Sequence, residues 1–201
     1  AATVPAMARV HVVLCEPAYA TNVGAVARLC GSFGTGQMVV VDPAAAGERR
    51  FAHDEAAQHA STHGRAWLDG YAVCSSVAAA KAALGGAQAF GFTARVASGK
   101  GGNVLRVPVA LGSLAEAMAR HQLGAGDEHI ALVFGREADG LRNSELAACD
   151  GTVTIPVGGV FNLSHSVAVA LYHVALCAKH AEDELLQQQR KQQQEEESAG
   201  L

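Results

Sequence analysis

Apolar residues along this chain fall into short β-branched blocks separated by Ala-rich helical stretches, with glycine or proline at nearly every joint. Arg9 to Cys15 (RVHVVLC) reads as a buried first strand, ended by Pro17 and the turn-prone run from Ala18 to Asn22. Val23 to Phe33 follows helical spacing, with Thr21 or Asn22 as its expected N-cap and Gly34 and Gly36 at its stop. Met38 to Val41 is a second strand, closed by Asp42 and Pro43. Strand, helix and strand within about 33 residues make a βαβ unit, so a right-handed crossover in a parallel sheet is expected.

The pattern continues in the same alternation. Ala44 to Arg50 reads as a loop, Ala52 to Ala60 as a helix, and Ser76 to Leu84 as a short helix stopped by Gly85 and Gly86. Trp67 to Val73 fits strand and loop equally. Ala87 to Thr93 (AQAFGFT) is a further strand, followed by the glycine-rich piece from Ser98 to Asn103, which suits a substrate-facing loop or a plain surface connection. Pro108 to Gly112 leads to a helix over Leu114 to His121, and Gly124 to Glu128 is a turn. Ile130 to Phe134 is a strand. Ser144 to Ala148 is a short helix capped by Asn143 or Ser144, Val153 to Pro156 is a short strand, and the last helix starts near Leu163 and passes His180. Beyond Leu186 that helix has no apolar stripe, so residues 181–201 are expected to be a polar, acidic helix or tail, solvated or disordered.

Composition narrows the class. At 201 residues, half of them apolar, one domain with a real core is expected over residues 1–180. No window approaches the ~18 to 20 uncharged apolar residues of a membrane span, since His165, Tyr172 and His173 interrupt the richest helix, and a soluble protein without a membrane partner is expected. The five cysteines (Cys15, Cys30, Cys74, Cys149 and Cys177) form no CxxC pair and suit reduced, buried thiols. His53, His59 and His63 come near helical spacing without a cysteine or carboxylate to complete a ligand set, so no metal site is read. The net charge of −4 sits in the tail, where six acids from Glu182 to Glu197 face Arg190 and Lys191, leaving a near-neutral body. A nucleic-acid partner must therefore be argued from individual arginines. The first residue is Ala1, so the expected compartment is the cytoplasm, or an organellar matrix such as the mitochondrial one where a targeting segment has been removed.

The stretch from Ala131 to Ala175 gathers an apolar strand, a glycine-bearing loop, a second short strand and a loop opening a long helix, an arrangement suited to a ligand or to ordinary αβ connections. No G-x-G-x-x-G follows the first strand and no Walker lysine pattern occurs, which disfavours the common nucleotide folds. Three motifs in order instead carry a likeness. The first is Glu16-Pro17 with Asn22-x-Gly24-Ala25-x-x-Arg28, the second Phe134-Gly135-Arg136-Glu137 with Gly140-Leu141, and the third Ile155-Pro156 with Phe161-Asn162-Leu163-Ser164. Gly91-Phe92-Thr93-Ala94-Arg95 adds a fourth element. Over most of the chain, from Arg9 to Lys179, this set resembles the SPOUT superfamily of RNA methyltransferases, in its SpoU/TrmH branch of ribose 2′-O-methyltransferases.

The resemblance implies an α/β fold with a mostly parallel sheet flanked by helices and a C-terminal deep trefoil knot. It implies S-adenosyl-L-methionine (AdoMet) as cofactor, held at Phe92, Thr93, Ala94, Phe134, Gly135, Ile155, Val160, Phe161 and Leu163. It also implies tRNA or rRNA as substrate, and a homodimer, or a dimer with a related SPOUT protein, whose partner completes the site. Arg28 would anchor a phosphate and assist deprotonation of the 2′-hydroxyl; with a guanidinium pKa above ~12, stabilising the alkoxide is the easier role. Asn22 would position the ribose or cap its helix. Glu137 would orient Arg28 or loop amides, and Asn162 would fix the knot loop and contact the ribose or cofactor, or act as a plain N-cap. Arg28, Arg49, Arg50, Arg95 and Arg106 are the expected RNA contacts. Val160 stands where the third motif usually has a serine, a loss of one hydroxyl that bears on activity. It leaves open an inactive RNA-binding relative acting in ribosome assembly. No RNA-binding appendage is seen, so substrate choice is expected from these loops, a partner or a ribosomal particle.

Overall fold

The structure is a computed structural model that describes residues 7–45, 47–94, 108–114 and 129–199. Seven strands form one sheet: β1 Val10–Cys15, β2 Met38–Val41, β3 Ala72–Cys74, β4 Gln88–Phe92, β5 Val109–Ala110, β6 Ile130–Phe134 and β7 Gly151–Thr154. Their order is β3-β2-β1-β6-β4-β7-β5, and every pairing is parallel. The expected α/β architecture and parallel sheet are therefore what the chain forms.

Alternation along the strands sorts side chains into two buried layers. Val10, Val12 and Leu14 of β1 join Met38, Val40, Phe90, Ile130, Leu132 and Phe134 on one face. That face is covered by α1 (Ala20–Phe33), α2 (Glu55–Ala60), α3 (Arg65–Gly70) and the long last helix. Val13, Cys15, Val39, Val41, Ala131 and Val133 point the other way, against α4 (Val77–Ala83) and α5 (Asn143–Ala148). Burial on both faces explains why the strands read as continuous apolar runs and not as alternating ones. Close packing sets some residue choices. A β-carbon on Gly24 of α1 would overlap the Ala57 backbone of α2, so glycine here lets the two helices touch.

Several expected boundaries are corrected. Helix α1 starts at Ala20 with Tyr19 as its N-cap and no side-chain cap, so neither Thr21 nor Asn22 caps it; Asn22 lies in the first turn and is buried. The stretch read as one helix over 52–60 is a 3₁₀ turn, Arg50–His53, then α2, because the Asp54 side chain accepts from Ala56 and Ala57 N–H and restarts the helix. Trp67 to Val73 splits into α3 and the edge strand β3, and Val109–Ala110 is a strand paired to β7. α5 begins at Asn143 with Arg142 as N-cap, where Glu145 accepts from Arg142 N–H at 2.6 Å. The last helix, α6, runs from Leu163 to Ala199, and every described side chain from Lys179 onward is exposed. The expected helix over 114–121, apart from Leu114, and the turn over 124–128 lie outside the described residues, as do Ser98 to Asn103.

All five cysteines are free; Cys15, Cys30 and Cys149 are buried, and burial pushes the Cys30 thiol up to about 12. His53, His59 and His63 are exposed. No helix among the described residues is long and apolar enough to cross a membrane.

Candidate active site

The carboxyl ends of β1, β4, β6 and β7 lie side by side, and the loops leaving β4, β6 and β7 enclose a cavity of about 390 Å³. Ligands of open parallel sheets bind at this edge, where successive connections diverge. Its wall is made by 92–94 after β4, by 134–140 at the end of β6, and by the loop from Ile155 to Leu163. Phe92 and Phe134 stack beside it with ring centroids 4.5 Å apart. All nine positions expected around a cofactor (Phe92, Thr93, Ala94, Phe134, Gly135, Ile155, Val160, Phe161 and Leu163) line this one cavity. Glycine is required at Gly135, since a β-carbon there would overlap the backbone of Gly140 and Leu141 in the turn that folds back on it. Glu137 and Asp139 add carboxylates, and Arg136, Thr93 and Ser166 further polar groups, to a lining otherwise made of apolar side chains and glycine.

One wall is fastened to the end of β1. Glu137 accepts from Ala18 N–H at 2.9 Å, from Tyr19 N–H at 3.3 Å and from Asn22 Nδ2 at 2.9 Å. Partial burial alone would raise its carboxyl, but those three hydrogen bonds outweigh burial and hold it below the usual carboxylate range, so it is ionised at neutral pH. Of its two expected roles, orienting loop amides is the one seen, together with Asn22; no contact to Arg28 is found among the described residues. Asn22 thus faces Glu137 and does not cap α1.

Behind Glu137 lies a four-residue ion network that the pattern of the sequence did not point to. Arg136 reaches Glu145 at 2.5 Å and Glu16 at 2.7 Å, and Arg142 reaches Glu16 at 2.6 Å. The Arg136 guanidinium, first of all, pulls the Glu16 carboxyl below its ordinary range, while hydrogen bonding to Glu145 keeps Arg136 protonated at any ordinary pH. Glu16 has φ of 44°, the left-handed region that a non-glycine residue occupies at a cost of ~1 to 3 kcal/mol. The only signal available beforehand was that Glu16 and Arg136 both fall inside the quoted motifs.

The remaining expected residues are scattered. Arg28 is exposed, with no hydrogen bond or ion pair among the described residues, and lies six positions beyond Asn22. At 100° per residue the two point about 120° apart around α1, so one copy of the helix does not aim both at one point. Asn162 is outside the cavity lining; its Oδ1 accepts from Ser164 N–H at 2.9 Å and from Ser164 Oγ at 2.8 Å, an N-cap of α6. Arg50 donates to the Pro17 carbonyl at 3.1 Å and lies 3.6 Å from Asp42, and Arg49 bonds the Asp69 carbonyl. Both are spent, at least in part, on structure. Arg95 and Arg106 lie outside the described residues.

Comparison with known proteins resolves the family. The model of the SpoU rRNA methylase family matches residues 9–172, most of the chain. The chain belongs to the SpoU rRNA methylase family. Among relatives, the tRNA (cytidine-2′-O-)-methyltransferase TrmJ of Methanocaldococcus jannaschii is 34% identical over 170 residues, 82% of this chain and 66% of that protein. The tRNA (cytidine/uridine/adenosine-2′-O-)-methyltransferase TrmJ of Pseudomonas aeruginosa is 32% identical over 84% of this chain and 61% of that protein. The chain thus spans just under two thirds of the length of these curated relatives. A crystal structure from Bordetella pertussis Tohama I superposes with a TM-score of 0.71 at 24% identity, covering 86% of this chain and 98% of that chain, and shows the shared fold.

Proposed function

We propose that this chain is an AdoMet-dependent RNA ribose 2′-O-methyltransferase acting on tRNA. The observation that carries the reading is the cavity itself: nine motif positions from three separate loops surround one space, with the Glu137-fastened end of β1 beside it. The naming of both curated relatives as tRNA 2′-O-methyltransferases supports the substrate class. The residues present fit the cofactor: a volume of about 390 Å³ lies within the ~300 to 1,000 Å³ of small-molecule sites. Stacked phenylalanines and aliphatic side chains suit a purine, and two carboxylates suit a cation. AdoMet, when bound, supplies a methyl group already activated on a sulfonium.

The protein's own share of the chemistry is alignment and charge. A ribose oxygen must be held in line with the methyl group at ~3 Å, and must lose its proton. In this reading Asn22, fixed by Glu137, orients the ribose, and the Arg28 guanidinium stabilises the negative charge that develops on the oxygen as its proton passes to solvent water. Because Asn22 and Arg28 diverge around α1, we infer that each site takes Arg28 from a second subunit, in a homodimer or a dimer with a related SPOUT protein. The strand order, with β6 between β1 and β4 and β7 between β4 and β5, together with family membership, supports a trefoil knot through the 134–163 region. The naming of both curated relatives as methyltransferases disfavours the alternative of an inactive assembly factor.

The test is transfer of tritiated methyl groups from AdoMet to a panel of unmodified tRNA transcripts, with the modified nucleotide mapped by its resistance to alkaline cleavage. Ribose methylation that disappears in Arg28→Ala is expected. Absence of both transfer and AdoMet binding by calorimetry would overturn the reading.

A further inference from the structure

Each residue of the four-residue strip from Glu16 to Tyr19 is hydrogen-bonded or ion-paired to a group outside the strip. The Glu16 N–H donates to the Val41 carbonyl at 2.8 Å, and its carboxylate takes Arg136 and Arg142. The Pro17 carbonyl takes Arg50. The Ala18 and Tyr19 amides share the Glu137 carboxylate, and the Tyr19 carbonyl accepts from Asn22 N–H at 3.0 Å and Val23 N–H at 3.3 Å. Three arginines and a carboxylate, one from the segment before α2 and three from residues 136–142, thus hold one turn, and Glu16 is kept at positive φ within it. What this rigid strip displays is the Tyr19 side chain, 62% exposed, with no hydrogen bond and no ring contact among the described residues.

An exposed aromatic ring on a mobile loop needs no explanation; one on a strip held this firmly, one hydrogen bond from a residue of the cofactor cavity, is presented to something. The occupant is identified by chemistry. A ribose enters this site with its base attached, and a nucleotide taken from a single-stranded RNA loop brings a base whose faces are unstacked. An unstacked base needs a flat apolar surface, which a rigid tyrosine supplies at little entropic cost. We propose that the Tyr19 ring is the surface on which the base of the target nucleotide stacks. The proposal rests on the methyltransferase reading, and extends it by naming what receives the base. Stacking accepts any base because every base has a π face, so Tyr19 serves affinity and orientation and leaves base identity to other contacts.

The test compares Tyr19→Phe, Tyr19→Leu and Tyr19→Ala in the tRNA methylation assay. Tyr19→Ala is expected to lower kcat/KM for tRNA by about 10- to 100-fold, mainly through KM, with AdoMet affinity and Tm unchanged. Tyr19→Phe recovers most of the loss and Tyr19→Leu little. Retention of kcat/KM to within about twofold in Tyr19→Ala would overturn the proposal, as would equal loss in Tyr19→Phe, which would assign the effect to the hydroxyl. A change in sedimentation from dimer to monomer in Tyr19→Ala would place the ring in a subunit contact and also overturn it. Should the wild-type protein transfer no methyl group, 5-iodouridine-substituted tRNA transcripts decide the matter separately. A photo-crosslink mapped to the peptide containing Tyr19 sustains base stacking, and its absence sinks it whatever becomes of the catalytic reading.

Discussion

The two flanks of the cavity differ in how completely the protein alone defines them. On one side, Glu16 to Tyr19 is held by backbone, carboxylate and guanidinium partners at each residue. On the other, the loop from Ile155 to Asn162 exposes Val157, Val160 and Phe161, and residues 158–161 make no hydrogen bond among the described residues. Among the described residues its ends are secured by the Val157 N–H to Ile155 carbonyl bond, by the Asn162 side-chain cap and by Ser166 N–H donating to the Asn162 carbonyl. The difference teaches which half of the site is formed before binding. The flank proposed to orient a ribose is built in advance; the flank proposed to hold the cofactor, with apolar side chains open to water, gains its contacts when something apolar fills the space. Amide exchange is the direct measure: Ala18 and Tyr19 N–H should be protected in the free protein, and 158–161 should become protected on adding AdoMet.

The sharpest way to break this contrast is to remove the cation at the centre of the fixed flank. Arg136→Met leaves Glu145 and Glu16 without their common partner in a mostly buried setting, and should cost about 3 to 5 kcal/mol in urea unfolding. Ala18 and Tyr19 amides should then exchange as fast as the opposite loop. If stability and protection stay at wild-type levels, the network is decoration and the asymmetry has another origin.

Acid offers a way to weaken the fold without touching those anchors. At the other end of β1, His11 is buried, with its Nδ1 accepting from Gln37 N–H and its Nε2 2.8 Å from His129 Nδ1, so the hydrogen bonds assign the proton to Nε2. Burial, aided by His129, lowers its pKa to about 4 from 6.5. Above pH 6.5 both folded and unfolded states are neutral and nothing is lost. As pH falls from 6.5 towards 4 the unfolded chain takes up a proton that the folded one refuses, removing about 3 kcal/mol of stability. Glu16 and Glu137 stay ionised through the upper part of that window, so the drop between pH 6.5 and 5 should flatten in His11→Gln. His173, whose pKa burial also lowers, would account for a residual slope. A drop unchanged in His11→Gln would assign it elsewhere.

Glu137→Gln tests the contact nearest the chemistry. Losing the charged acceptor of two amides and Asn22 should cost about 1.5 to 3 kcal/mol and release Tyr19. Because the Glu137 pKa is lowered in the fold, its stabilisation is present above the unfolded value and lost as pH falls through the folded one. The wild-type advantage over the glutamine variant should therefore shrink on acidification, and a gap constant with pH would discount the charge.

Much of this was legible in the chain because periodicity reports burial. β1, β2, β4 and β6 were readable as apolar runs, and the ends of β4 and β6, the loops after them and the loop after β7 supplied the nine cavity-lining residues named in advance. What stayed hidden has a common cause. The ion network joins Glu16 to Arg136, Arg142 and Glu145, residues over a hundred positions away that carry no period. The start of α1 was misplaced because Tyr19 caps it without a side-chain bond, so Asn22 looked like a cap when its amide was committed to Glu137. β3 and β5, of three and two residues, are too short to show alternation. The divergence of Arg28 from Asn22 follows from helix geometry alone, yet motif order, which is linear, conceals it.

The smallest expected effect falls on the open flank. Val160 is 81% exposed on the cavity wall, where the family motif usually has serine, so its side chain packs against almost nothing. Val160→Ser should leave the urea midpoint unchanged, since few contacts are lost. A hydroxyl there gains at most one neutral hydrogen bond, worth about 0.5 to 1.5 kcal/mol, which corresponds to a rise of about 2- to 10-fold in methyl transfer if the partner is the substrate or a loop amide that closes over it. The variant also separates the flanks: a faster enzyme with unaltered Ala18 and Tyr19 protection locates the limitation in the loop that is finished only on binding. A rate equal to wild type would mean that residue 160 stays clear of the reacting groups, and that the valine costs this protein nothing.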